Sequence, residues 1–92
     1  MDLEECRCAI DEVDRQIFKA MARRKELAII AGRLKKALGS PVCVPEREKL
    51  LFSRVDSWSR DNDLDRQFVI DVFSLLLNYS KQVQQNVTEV AD

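Results

Sequence analysis

Ninety-two residues are enough for one small domain, taken as residues 1–92. With 46% hydrophobic and 34% charged residues, and only two Gly and two Pro, the composition is that of an all-helical protein with few loops. A formal net charge of −1 supplies no basic field, and no apolar run nears the ~18–20 residues of a membrane span, so neither nucleic acid nor membrane is an expected partner.

The first helix is expected to open with Asp2 as N-cap and Glu5 three residues later, a capping-box arrangement. Apolar residues then recur in steps of three and four at Leu3, Cys6, Ile10, Val13, Ile17, Ala20, Leu27, Ala31, Leu34 and Leu38. The seam passes Gly32, and Gly39-Ser40-Pro41 ends it. Arg24 fills the one slot that the series skips, and Lys35 lies about 20° from it round the helix. A cation on a core face is costly unless an anion meets it, so the pattern points to a buried anion site.

Val42-Cys43-Val44 is expected to be extended, because Pro45 disfavours helix at the residue before it. Pro45 suits the first position of a second helix, with Glu46 and Glu48 favoured by the dipole in its first turn. Leu50, Leu51, Arg54, Val55 and Trp58 carry this helix to about Arg60, and Asp61-Asn62-Asp63 makes a polar turn. Asp65 caps a third helix, with Leu64 and Val69 spaced as a hydrophobic staple. Its apolar face runs through Val69, Val72, Phe73, Leu76, Val83 and Val87, with fraying expected after about Glu89.

Helix length raises a geometric problem. A helix from Leu3 to Leu38 is about 54 Å long at ~1.5 Å per residue, whereas a compact domain of this size has a radius of gyration of about 12 Å. Two helices of about 15 and 25 residues cannot cover that seam. A second copy is therefore expected to supply the missing surface, as a twofold homodimer of intertwined helices.

The chain contains no histidine, and the spacing of Cys6, Cys8 and Cys43 suits neither zinc nor a local disulfide. The three thiols are expected to be reduced and the setting cytoplasmic, since the start MDLEE is no signal peptide. The sequon at Asn86-Val87-Thr88 carries no weight without a secretory signal. Separately, each polar residue on an apolar face has an ordinary explanation. Long basic chains snorkel, a buried Ser bonds its own i−4 carbonyl, and Arg47 with Glu48 makes a solvated pair. Together, Arg24, Lys35, Arg47, Glu48, Ser80 and Gln84 suit a small dianion that also carries hydroxyl and ether groups. They do not suit acid–base or nucleophilic chemistry, having no His, no Cys–His pair and no second carboxylate beside Glu48.

These residues also carry a resemblance. Arg7-x-x-Ile10-Asp11-x-x-Asp14, Arg24-Lys25-Glu26-Leu27-Ala28, Lys35, Pro41-Val42, Val44-Pro45-Glu46-Arg47-Glu48, Leu64-Asp65 and Ser80-x-x-x-Gln84 resemble, in order and without insertion, the all-helical class of chorismate mutases. The resemblance implies an intertwined three-helix dimer that rearranges chorismate to prephenate by an intramolecular Claisen reaction, in aromatic amino acid or related shikimate-derived biosynthesis. It implies no metal and no cofactor. By position, Arg24, Arg47 and Arg7 would bind the two carboxylates with help from Ser80. Lys35 and Gln84 would donate to the ether oxygen, and Glu48 would accept from the ring hydroxyl. Arg7 lies about 25 Å along the helix from Arg24 and roughly 100° round it, so one straight helix cannot bring both to one small molecule. The resemblance places Arg7 in the partner's site. Val44 stands where one form of the motif has an acidic residue, and would serve through its backbone amide. Isochorismate pyruvate lyase shares the cationic residues, but there an apolar residue tends to replace Glu48 and an aromatic Ser80. A 4-amino-4-deoxychorismate mutase would place an amine opposite Glu48. A non-catalytic helical dimerisation or regulatory module is the alternative outside enzymology.

Overall fold

The computed structural model describes residues 1–89, and these form three α-helices: α1 (Leu3–Leu38), α2 (Pro45–Asp61) and α3 (Arg66–Glu89). The fold is all-α, as the composition and periodicity implied. The Asp2 carboxylate accepts the Glu5 backbone N–H at 2.7 Å and caps α1. At the other end Gly39 takes a left-handed conformation, φ 68°, open to glycine at little cost. Ser40 N–H then reaches the Lys35 carbonyl at 2.9 Å. Pro45 begins α2, which runs one residue beyond the expected end. The Asp65 carboxylate accepts the Phe68 N–H at 2.9 Å and caps α3. The fraying expected after Glu89 lies outside the described residues.

The third helix is the middle of the structure. Both α1 and α2 pack on it, and they do not pack on each other. The α2–α3 contact buries Val55, and Trp58 meets Phe73 with ring centroids 6.4 Å apart in a tilted pair. Ser59 is buried there too, donating to the Val55 carbonyl one turn back at 2.7 Å. The α1–α3 contact buries Ala28, Gly32, Val83 and Gln84. Gly32 permits this approach: a β-carbon there would sit 3.1 Å from Gln84 Cα and 3.2 Å from the Gln84 carbonyl oxygen.

Here the structure refines the sequence reading. The α1 positions buried against α3, Ala28 and Gly32, lie one step round from the seam positions Leu27 and Ala31. The long seam is left uncovered: Ile10, Val13 and Ile17 are about half exposed at 53%, 52% and 51%. Each such side chain forgoes much of the ~1.5–3 kcal/mol that full burial contributes. The molecule measures 55 × 27 × 15 Å with a radius of gyration of 16.5 Å, well above the ~12 Å of a compact chain this long.

Candidate active site

A cleft of about 590 Å³ opens between α1, α3, the connector at residues 42–44 and the first turn of α2. Its lining includes Arg24, Lys35, Val44, Arg47, Glu48, Ser80 and Gln84, seven of the eight site residues expected from sequence. Arg7 is absent from the lining and exposed on the distal part of α1.

One end of the cleft is a hydrogen-bonded chain. Lys35 Nζ donates to Gln84 Oε1 at 2.6 Å and to the Val42 carbonyl at 2.9 Å, and Gln84 Nε2 donates to Ser80 Oγ at 3.1 Å. An ammonium can only donate, so the amide oxygen must face Lys35 and the amide nitrogen must face Ser80. Two of the three Lys35 donors are used, leaving one N–H for a ligand, and Gln84 Nε2 likewise keeps one. Ser80 does not bond its own i−4 carbonyl; that ordinary outcome belongs to Ser59.

Arg24 is half-buried and its Nη1 donates to the Leu76 carbonyl at 3.0 Å. Burial lowers its pKa from the ordinary value, yet an arginine so placed stays charged. It also lines an apolar groove of about 520 Å³, between Ile17, Ala20 and Met21 on α1 and Phe68, Val72 and Leu76 on α3. The misfit in the seam therefore sits where an apolar surface gives way to a polar cleft.

The cleft also holds a residue that the sequence reading missed. Lys81 Nζ lies 2.9 Å from Glu48 Oε1, tying the first turn of α2 to α3, with side-chain exposures of 28% and 25%. The Cys43 thiol also donates to Glu48 Oε1, at 3.7 Å. The hydrogen bond from Lys81 holds the Glu48 carboxyl below the usual carboxylate range, and the same bond raises the Lys81 pKa. Lys81 escaped notice because a lysine beside Ser80 reads as solvated. The available signal was its place three residues before Gln84, on the same helix face.

Four cations and one carboxylate thus line a cleft whose remaining walls, such as Leu27, Ala31 and Leu77, are apolar. Such a site can hold a small anion, orient it through donors of fixed position, and offer positive charge where negative charge develops. Among the described residues no cluster of His, Cys, Asp and Glu is placed to hold a metal ion, and no helix is long and apolar enough to cross a membrane.

The family model for chorismate mutase type II matches residues 6–85. The chain belongs to the chorismate mutase type II family. It is similar to the chorismate mutase of Methanocaldococcus jannaschii, with 34% identity over 95% of this chain and 88% of that protein. An isochorismate pyruvate lyase of Pseudomonas aeruginosa is 31% identical over 84% of this chain and 75% of its own length. A 4-amino-4-deoxychorismate mutase of Streptomyces venezuelae is 24% identical over 94% of this chain and 84% of its own. The relatives it resembles thus bear the names of three different activities.

Proposed function

We propose that the chain is a chorismate mutase, catalysing the rearrangement of chorismate to prephenate. The observation that carries this reading is the convergence of Arg24, Lys35, Arg47, Glu48, Ser80 and Gln84 on one cleft. The reaction is intramolecular and pericyclic, so the site's work is to hold the dianion in its reactive conformer and stabilise the oxygen of the breaking C–O bond. Arg24 and Arg47 serve as carboxylate anchors with Ser80 beside them. The free N–H of Lys35 and that of Gln84 meet the ether oxygen, Glu48 accepts from the ring hydroxyl, and Val44 contributes its backbone N–H.

The proposed working form is a homodimer in which a second copy covers the exposed seam and the apolar groove beside Arg24, and lends its Arg7 to the cleft. The uncovered Ile10, Val13 and Ile17 support this assembly, as does the distance of Arg7 from the other site residues. A reducing, cytoplasmic setting fits the three free thiols of Cys6, Cys8 and Cys43.

Glu48 and Ser80, both lining the cleft, favour the mutase over an isochorismate lyase. The test is to incubate the pure protein with chorismate and, separately, isochorismate, following prephenate and pyruvate. Prephenate from chorismate is the expected result. Turnover of neither substrate by the folded protein would overturn the mutase reading.

A further inference from the structure

The Lys81–Glu48 pair joins α2 to α3 at the wall of the cleft, and both residues line it. Contacts from Lys81 and Cys43 fall on the same carboxylate oxygen, Oε1, so Oε2 keeps its lone pairs for a ligand. An unpaired carboxylate would attract any cation, and an ammonium substituent most of all. Paired with Lys81, Glu48 remains a good acceptor while the net charge at that wall is cancelled. The other cations lining the cleft, Arg24 and Lys35 from α1 and Arg47 from α2, add no compensating negative charge.

We propose that Lys81 is a positioning and specificity-determining residue, which orients the Glu48 carboxylate and selects a neutral hydroxyl over an ammonium at the ring carbon facing it. This rests on the mutase reading above and deepens it. A hydroxyl at that carbon donates to Glu48 and brings no charge. An aliphatic amine is protonated near neutral pH, so it would bring a second positive charge beside the Lys81 ammonium. With Lys81 removed, Glu48 faces the ring alone and attracts that ammonium. The same cleft then turns from rejecting the amine analogue to welcoming it.

The test compares the unaltered protein with Lys81→Met, which keeps the length of the side chain and removes its charge, and with Lys81→Arg, which keeps the charge. For each, kcat/KM is measured on chorismate and on 4-amino-4-deoxychorismate, after circular dichroism establishes helicity. In Lys81→Met the ratio of amine to hydroxyl turnover should rise at least about tenfold, the scale of one partly shielded charge contact. Lys81→Arg should keep the original ratio. The acid limb of kcat/KM on chorismate should also move to higher pH in Lys81→Met and stay in place in Lys81→Arg. An unchanged ratio in a folded Lys81→Met, with both substrates slowed equally, overturns the inference and leaves the mutase reading standing. If Lys81→Met does not fold, Lys81→Gln answers the same question with the same readouts. Failure of the unaltered protein to turn over either substrate overturns the mutase reading itself, a result distinct from an unchanged ratio.

Discussion

Lys35 and Gln84, 49 residues apart in sequence, meet through a 2.6 Å hydrogen bond that fixes which atom of the glutamine faces the cleft. Neither side chain has that geometry alone: the lysine orients the amide, and the amide holds one of the lysine's protons. Lys35→Ala should lower kcat by at least ~10²-fold, the usual scale for losing one transition-state donor. Gln84→Ala should also lower kcat, and the double variant should lose less than the two single losses combined. A near-normal kcat for Lys35→Ala would remove it from this role, and strict additivity would show that the pair does not act as a unit.

Gly32 sets the distance at which α1 meets Gln84. A Gly32→Ala β-carbon would press on the α3 backbone at 3.1 and 3.2 Å, and a helix backbone cannot swing aside as a side chain can. Overpacking of this kind costs about 1–3 kcal/mol, and the better helix propensity of alanine returns about 1 kcal/mol. Urea unfolding should therefore show a net loss of up to ~2 kcal/mol, accompanied by a fall in kcat as Gln84 moves. A variant more stable than the parent with unchanged kcat would mean that α3 yields freely at this point.

The Lys81–Glu48 pair should give stability a pH signature. Glu48 has a depressed pKa in the folded chain, so its contribution is complete above the ordinary carboxylate value and is lost as pH falls through the folded one. Lys81 has a raised pKa, so its contribution is complete below the ordinary lysine value and is lost as pH rises through the folded one. The difference in Tm between the unaltered protein and Lys81→Met should hold level from about pH 5 to about pH 10 and narrow on both sides. A difference that persists unchanged into strong acid would argue against the ion pair.

What the sequence made legible was mainly local. Asp2, Gly39, Pro45 and Asp65 announce helix ends because each acts on backbone groups within a few residues of itself, and the observed boundaries follow them closely. The face of α1 that meets α3 was harder to read. Small residues, Ala28 and Gly32, make that contact, while the larger seam residues that dominate the periodicity point elsewhere. Arg24, Lys35 and Ser80 stood out because a polar group on an apolar stripe breaks a pattern, and Gln84 followed as the residue one turn from Ser80. Lys81 broke none, and its partner Glu48 is 33 residues away on another helix, a distance that no helical spacing reports.

Arg7 offers a test of the proposed cross-chain site. Arg7→Ala and Arg24→Ala should each be nearly inactive, since each removes a carboxylate anchor from every cleft. In an equal mixture that has exchanged subunits, a heterodimer carries one cleft with both arginines and one with neither. About a quarter of all clefts should then be intact, and activity should recover to that level. Demonstrated exchange without recovery would place Arg7 outside the cleft.

The 15 Å depth of the molecule bears on how its activity could be controlled. A body barely more than one helix thick has little interior of its own, and under the proposed assembly most of it is made when two copies meet. Folding, assembly and completion of the cleft then obey one mass-action law, and the midpoint of thermal unfolding climbs with protein concentration. Dilution alone would dismantle the catalyst, and the amount of protein a cell makes would set the specific activity of each molecule as well as their number.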